Sequence, residues 1–241
     1  MWCYRFIRRH GFSICRISHK GQTIPESFDK LQNSFIEEVI MKKKNLNIPY
    51  DDNCTIINMD ETPVFLEMGF DTTLEFTGKK NVDILTSGRE HYRISIMLAV
   101  VGNGYKLPPL LIIKAEPGKT VEKNLRSLPF VREKNMFIYC QEDGWCTTAI
   151  FKEWIKVIFQ PYEKEYGDKC ILIMDKASSH ISKESLSFLK ENNLEFILIP
   201  AGMTPHCQPL DISVNKVFKD NVKLLFEKDR LDYEGVNNQI K

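Results

Sequence analysis

The sequence predicts an α/β domain built on a mixed five-stranded sheet with helices on both faces. With 241 residues, 43% of them hydrophobic and 27% charged, the chain can bury one sizeable core. Short apolar runs alternate with amphipathic segments along most of its length, which is typical of layered α/β domains. A Gly-Asn-Gly turn between two apolar runs predicts a hairpin, and later runs are separated by helical patterns. An antiparallel start followed by β-α-β units therefore predicts a mixed sheet.

The first twenty residues form a basic, aromatic segment. They carry five basic residues and no acid, so their formal charge is +5, whereas the whole chain has a charge of +1. A protein that binds DNA over its whole surface would be more basic, so a nucleic-acid contact is expected to be local. The side chains expected to make it are Arg5, Arg8, Arg9 and Arg16. After a linker, apolar residues at helical spacing predict a helix over 27–43.

The predicted strands and the remaining helices follow from residue 54. Apolar runs bounded by turn residues predict five strands, at 54–59, 93–101, 107–113, 170–174 and 196–199. Helical spacing of apolar residues predicts three more helices, at 151–159, 182–192 and 214–226. This order of strands and helices is that of a ribonuclease H-like domain.

Acids follow two of the apolar strands, at Asp60 and Asp175, and a third acid, Asp211, begins the last helix. An Asp in such a position is most often a turn former or a helix N-cap. If the first and fourth strands are neighbours, however, Asp60 and Asp175 emerge together at one edge of the sheet. Adjacent carboxylates repel each other unless a cation lies between them, and Mg²⁺ prefers such oxygen ligands. Spacing alone leaves both interpretations open.

Three segments carry a resemblance to a known family. They read MDET at 59–62, LIMDKASSH at 172–180 and IPAGMTPHCQPLDISVNKVFK at 199–219. They resemble the signature blocks of pogo/Tigger-type transposases, which belong to the mariner-like DDE superfamily and include the domesticated centromere protein B. The hairpin at 93–114 is also similar to that family, and the resemblance covers about residues 54–230.

The resemblance implies a function and a site. Asp60, Asp175 and Asp211 would hold two divalent ions, Mg²⁺ or Mn²⁺, for phosphoryl transfer at DNA. The implied partners are transposon ends and target DNA in the nucleus, with no membrane, and homodimerisation is left open. Asn215, one helical turn after Asp211, would orient that acid or a metal-bound water. Glu61, which should point to the opposite face of the strand, and His180 are expected to be structural.

The same resemblance divides the chain into four segments. Residues 1–20 would be the remnant of a helix-turn-helix DNA-binding domain, with 2–16 as its closing helix. Residues 21–53 would be a helix and linker, 54–230 the catalytic domain, and 231–241 a C-terminal tail. Full-length relatives carry two helix-turn-helix units, so this chain departs from the family by lacking most of the family's sequence-specific DNA-binding region.

Other functions are weighed against this one. A domesticated or decayed transposon-derived protein would bind DNA without catalysis. The missing helix-turn-helix region favours this alternative, and the three intact acids disfavour it. A nuclease acting on RNA–DNA hybrids is disfavoured by the QPLD block. The seven cysteines form no CxxC pair, and the spacing of Cys146, His206 and Cys207 suits no zinc site. Residues 1–9 lack the apolar region of a signal peptide, so an intracellular location is expected.

Overall fold

The computed structural model describes residues 2–16, 28–65, 72–78, 92–166 and 169–239. Its strands are β1 (Phe12–Arg16), β2 (Ile56–Phe65), β3 (Thr72–Phe76), β4 (Arg93–Val101), β5 (Leu110–Lys114), β6 (Phe137–Gln141), β7 (Ile171–Met174) and β8 (Glu195–Leu198). Its α-helices are α1 (Trp2–Arg9), α2 (Phe28–Asn45), α3 (Thr120–Ser127), α4 (Pro129–Glu133), α5 (Thr148–Trp154), α6 (Gln160–Tyr166), α7 (Ser178–Ile181), α8 (Lys183–Glu191), α9 (Thr204–Cys207) and α10 (Asn215–Gln239). A π-helical turn at Ile155–Phe159 joins α5 to α6, and a second π-helical turn at Leu210–Val214 leads into α10.

The chain divides into two compact units. The smaller comprises Met1–Thr23 and Phe65–Tyr92, and within it β1 pairs antiparallel with β3. The prediction of one helix over 2–16 is wrong beyond Arg9. Gly11, with φ of 71°, ends the helix in the left-handed region that glycine tolerates, and the next five residues form a strand.

The larger unit comprises Ile24–Val64 and Arg93–Lys241 and contains a six-stranded mixed sheet in the order β6-β5-β4-β2-β7-β8. The α/β class and the mixed sheet are confirmed, but the predicted count of five strands is wrong. The sixth strand is β6, which pairs parallel with β5 at one edge of the sheet. Because β6 alternates between buried and half-buried positions over only five residues, it gives no continuous apolar run.

Two apolar clusters cover the two faces of this sheet. One packs α5 and the following π-turn on the sheet through Phe151, Trp154 and Phe159. The other brings Phe35 of α2 against Ile171 and Ile197. Helices on both faces are therefore confirmed. The end of the chain differs from the prediction, because α10 continues through the expected tail to Gln239. No helix in the described part of the chain is long and apolar enough to cross a membrane.

Candidate active site

Two of the three predicted acids stand at equivalent positions along neighbouring strands. Strands β2 and β7, the first and fourth of the predicted sheet, are parallel neighbours, with Asn58 in register with Ile173. Asp60 and Asp175 each come two residues later, just beyond the paired stretch. Strand β2 does not stop at Asp60, as its sequence predicted, but continues to Phe65. Asp60 is therefore held within a strand, 6% exposed, rather than on a mobile loop.

The third acid reaches the same place through a π-helical turn. Asp211 is exposed on the turn Leu210–Val214, directly before α10. Asn215, the first residue of α10, is 5% exposed, and its Nδ2 donates to Asp60 Oδ2 at 2.6 Å and to Asp211 Oδ1 at 3.0 Å. One amide thus joins two of the predicted ligands. Single π-turns of this kind are frequent at functional sites.

Two buried amides fix the elements that carry the acids. The Asn58 side chain donates to Ile173 O at 3.1 Å on β7 and accepts from Leu210 N at 3.2 Å. Asn58 therefore connects all three acid-bearing segments, each within two residues of its Asp. Gln208, which is fully buried, donates from Nε2 to Met59 O at 3.3 Å. These contacts position the exposed Asp211 relative to the sheet.

The Asp60 carboxyl is electrostatically perturbed. Burial and, after it, the carboxylates of Asp211 and Asp175 raise its pKa from 3.8 to about 7, although the hydrogen bond from Asn215 acts in the opposite direction. A carboxylate that is buried beside two others is destabilised in its charged form. Without a cation, Asp60 therefore keeps its proton to a higher pH than an ordinary carboxyl group does.

His180 contacts the carboxylate of Asp175. Its ring, 1% exposed, lies with Nδ1 2.8 Å from Asp175 Oδ1 and Nε2 3.2 Å from Glu61 Oε1. Burial lowers the pKa of His180, but the two carboxylates outweigh burial and raise it to about 9, so the imidazolium donates to both. Burial also raises the pKa of Asp175, yet the hydrogen bonds from His180 and from Ala177 N bring it below its usual value.

Alternation along β2 separates Asp60 from Glu61. Asp60 contacts Asn215, whereas Glu61 contacts His180, in agreement with the expectation that the two side chains point to opposite faces. Sequence reasoning gave His180 only a packing or capping role. The structure adds the bridge to two carboxylates, and Phe151 lies against its ring, with centroids 4.9 Å apart. The sequence signals for this contact are the position of His180 five residues after Asp175 and its place in the family-like segment at 172–180.

The oxygen atoms near Asp60 suit a hard cation. The Oδ1 atom of Asn215 and the Oε1 atom of Gln208 are buried without a hydrogen-bond partner in the described part of the chain. Carboxylate and amide oxygens are the ligands that Mg²⁺ prefers. Among the described residues, no three His, Cys, Asp or Glu side chains form a ready metal cluster. The amide of Asn215 lies between Asp60 and Asp211, and Asp175 is engaged by His180.

The arginines predicted to bind DNA lie in the smaller unit. Arg5, Arg8 and Arg9 are exposed on α1, where a spacing of three and four residues places them on one side, together with the exposed Trp2. Arg16 ends β1, and its side chain lies outside the described part of the chain.

Comparison with known proteins extends these observations. Residues 91–236, more than half of the chain, match the family model described as DDE superfamily endonuclease. The chain is 28% identical over 229 residues to the human "Pogo transposable element with KRAB domain" and 27% identical over 229 residues to its mouse counterpart. Each alignment covers 92% of this chain but 35% of the relative, so the chain spans about a third of their length.

The fold is also found in a solved structure. The crystal structure of a pre-cleavage Mos1 transpososome superposes with a TM-score of 0.50 at 13% identity, covering 90% of this chain and 56% of that one. At this identity the similarity establishes the fold alone. The mixed sheet with helices on both faces is therefore an arrangement that a solved transposase also has.

Proposed function

Because the chain belongs to the DDE superfamily endonucleases, of the pogo and mariner type, we propose that it is a metal-dependent DNA endonuclease and strand transferase. In this proposal Asp60, Asp175 and Asp211 are the metal ligands, and Mg²⁺ or Mn²⁺ is the cofactor. A nuclear location follows from genomic DNA as the substrate. The activity of a whole transposase is part of the proposal, since the chain spans about a third of its curated relatives.

The shared amide of Asn215 is the observation that carries the proposal. It brings Asp60 and Asp211 together across 151 residues of sequence, and the register of β2 and β7 puts Asp175 beside them. The raised pKa of Asp60 supports the same interpretation, because a cation at this position would relieve the repulsion among the three carboxylates. Rotation of the Asn215 amide would add Oδ1, now unpartnered, to the oxygen ligands.

The residues of the site have different roles in the proposed reaction. Bound metal would activate water for in-line attack on a phosphodiester and stabilise charge on the leaving 3′-oxygen. Asp60 must give up its proton before it can bind a cation. Asn215 holds the Asp60 and Asp211 side chains in one orientation, and His180 keeps Asp175 ionised. Asn58 keeps the three segments in register, so that the ligand positions are fixed before DNA binds.

DNA contact is proposed for the basic helix. Arg5, Arg8 and Arg9 of α1 would meet phosphates, with Arg16 further along the same segment. Guanidinium groups match phosphate geometry, and such contacts carry no sequence information by themselves. This chain should therefore bind DNA weakly and without sequence preference. A homodimer remains part of the proposal only by analogy with other transposases.

Plasmid nicking tests the catalytic proposal. The purified chain should nick supercoiled DNA with Mg²⁺ or Mn²⁺ and not with EDTA. Asp60→Asn and Asp175→Asn should abolish nicking, because each removes a charged ligand while keeping the shape of the side chain. Asp220→Asn, which changes an exposed acid of α10, is the matched control and should nick like the wild type. Equal nicking by all four proteins would indicate a contaminating nuclease and refute the proposal.

A second candidate is a transposon-derived DNA-binding protein without catalysis. The engagement of Asp175 and Glu61 by His180 favours it, because that contact neutralises charge that a metal would otherwise balance. This candidate predicts DNA binding that Asp60→Asn leaves unchanged, no nicking, and no stabilisation of the fold by Mg²⁺ or Mn²⁺. Thermal unfolding with and without each metal therefore separates the two candidates.

A further inference from the structure

An arginine–tryptophan stack stands on the surface of the larger unit. The guanidinium carbon of Arg93 lies 3.3 Å from the ring centroid of Trp145, and yet the Trp145 side chain is 58% exposed. Since the guanidinium covers one face of the indole, the exposed part includes the other face. The Nη2 atom of Arg93 is buried without a hydrogen-bond partner in the described part of the chain.

The main chain around Trp145 is fixed on both sides. Gly144 has φ of 70°, its carbonyl accepts from the buried Ser95 Oγ at 2.8 Å, and a Cβ there would lie 3.2 Å from Lys114 Cβ. On the other side, Thr147 caps α5 by accepting from Ile150 N at 3.3 Å. The exposed indole is thus presented by a rigid turn, which lowers the entropic cost of binding a ligand to it.

The stack lies at the end of the sheet that carries the acids. Strand β4, which begins at Arg93, is the neighbour of β2, and Gly102 N, directly after β4, donates to Ile56 O at the start of β2 at 2.8 Å. The two strands therefore run in opposite directions, so Arg93 lies toward the carboxyl end of β2, the end of the sheet at which Asp60 and Asp175 follow the paired stretch of β2 and β7. DNA bound at these acids would pass along the end of the sheet that presents the indole.

We propose that Trp145, backed by Arg93, is a stacking site for an unpaired nucleobase of bound DNA. The proposal rests on the proposed function only in taking DNA as the substrate. Every base has a π-face, and aromatic residues with nearby arginines are the usual platform for unpaired bases. The exposed acids Glu142 and Asp143 in the same turn disfavour phosphate, so the contact is with the base and not with the backbone.

Oligonucleotide binding in EDTA tests the proposal without any need for catalysis. Fluorescence anisotropy would compare a labelled single strand of about 12 nucleotides, a size typical of single-strand sites, with an abasic strand of equal length. Trp145→Ala should weaken binding of the normal strand about fivefold to hundredfold, the usual contribution of one stacked base. Trp145→Phe, which keeps an aromatic face, should recover part of that affinity. Arg93→Lys, which keeps the charge but not the planar group, should fall between wild type and Trp145→Ala.

The abasic strand and a control variant decide the outcome. Binding of the abasic strand should be equal in wild type and Trp145→Ala, because there is no base to stack. Phe130→Ala, which removes another exposed aromatic ring of the same unit, should bind both strands like the wild type. An equal loss on both strands, or no loss with Trp145→Ala, would overturn the proposal. Urea unfolding of Trp145→Ala checks that the fold is intact, and nicking assays report on the proposed function separately.

Discussion

Replacing Asp60 by Asn should stabilise the metal-free protein above neutral pH. Asp60 is 6% exposed, and burial, together with Asp211 and Asp175, raises its pKa from 3.8 to about 7. A carboxyl whose pKa is raised by folding contributes stability that is fully present below 3.8 and is lost as the pH rises through about 7. Because one pKa unit corresponds to about 1.4 kcal/mol, the loss above pH 7 amounts to about 4 kcal/mol.

The amide in Asp60→Asn avoids this loss. It still accepts from Asn215, and its new N–H can donate to the Asp211 carboxylate. The variant should therefore exceed the wild type by up to about 4 kcal/mol at pH 8, and the gap should close near pH 4. Urea unfolding in EDTA across this pH range measures it, with Asp220→Asn as the control that should follow the wild type. An Asp60→Asn variant no more stable than the wild type at pH 8 would refute the reasoning about burial and repulsion.

Three other predictions follow from the same contacts. Folding raises the pKa of His180 from 6.5 to about 9, so the stability of the wild type should fall by on the order of 3 kcal/mol as the pH rises from 6.5 through 9. Urea unfolding of His180→Gln across this pH range should not show that fall. A variant whose stability falls as much as that of the wild type would contradict the prediction. Asn58→Ala should cost about 2–4 kcal/mol in urea unfolding, because two buried backbone groups lose their partner; a loss under 1 kcal/mol would mean that the amide does not connect the segments. If the five basic residues in 1–20 make the phosphate contacts, the slope of the logarithm of the DNA-binding constant against the logarithm of salt concentration should be no steeper than about −4.5. Replacing the three arginines of α1 by glutamine should flatten this slope by about 3 in filter-binding measurements. An unchanged slope would mean that other residues contact the DNA.

The sequence by itself determined the fold class and the position of two acids. Strands buried on both faces give continuous apolar runs, so β4 and β7 were evident, and an acid directly after such a run marks a sheet edge. The third acid was different. Asp211 stands where a helix N-cap would stand, and only its resemblance to a family motif distinguished it from one.

Only the tertiary structure decided how these residues meet. Strand β6 is short and only half buried, so its pairing with β5 defines it more than its own pattern does. The π-turn before α10 depends on packing and on the contact of Leu210 N with Asn58, 152 residues away. The charge states of Asp60 and His180 depend likewise on neighbours that are remote in sequence. The periodicity of apolar residues indicates which face of a helix or strand is buried. The segment that packs against that face is determined by contacts between residues that are distant in sequence.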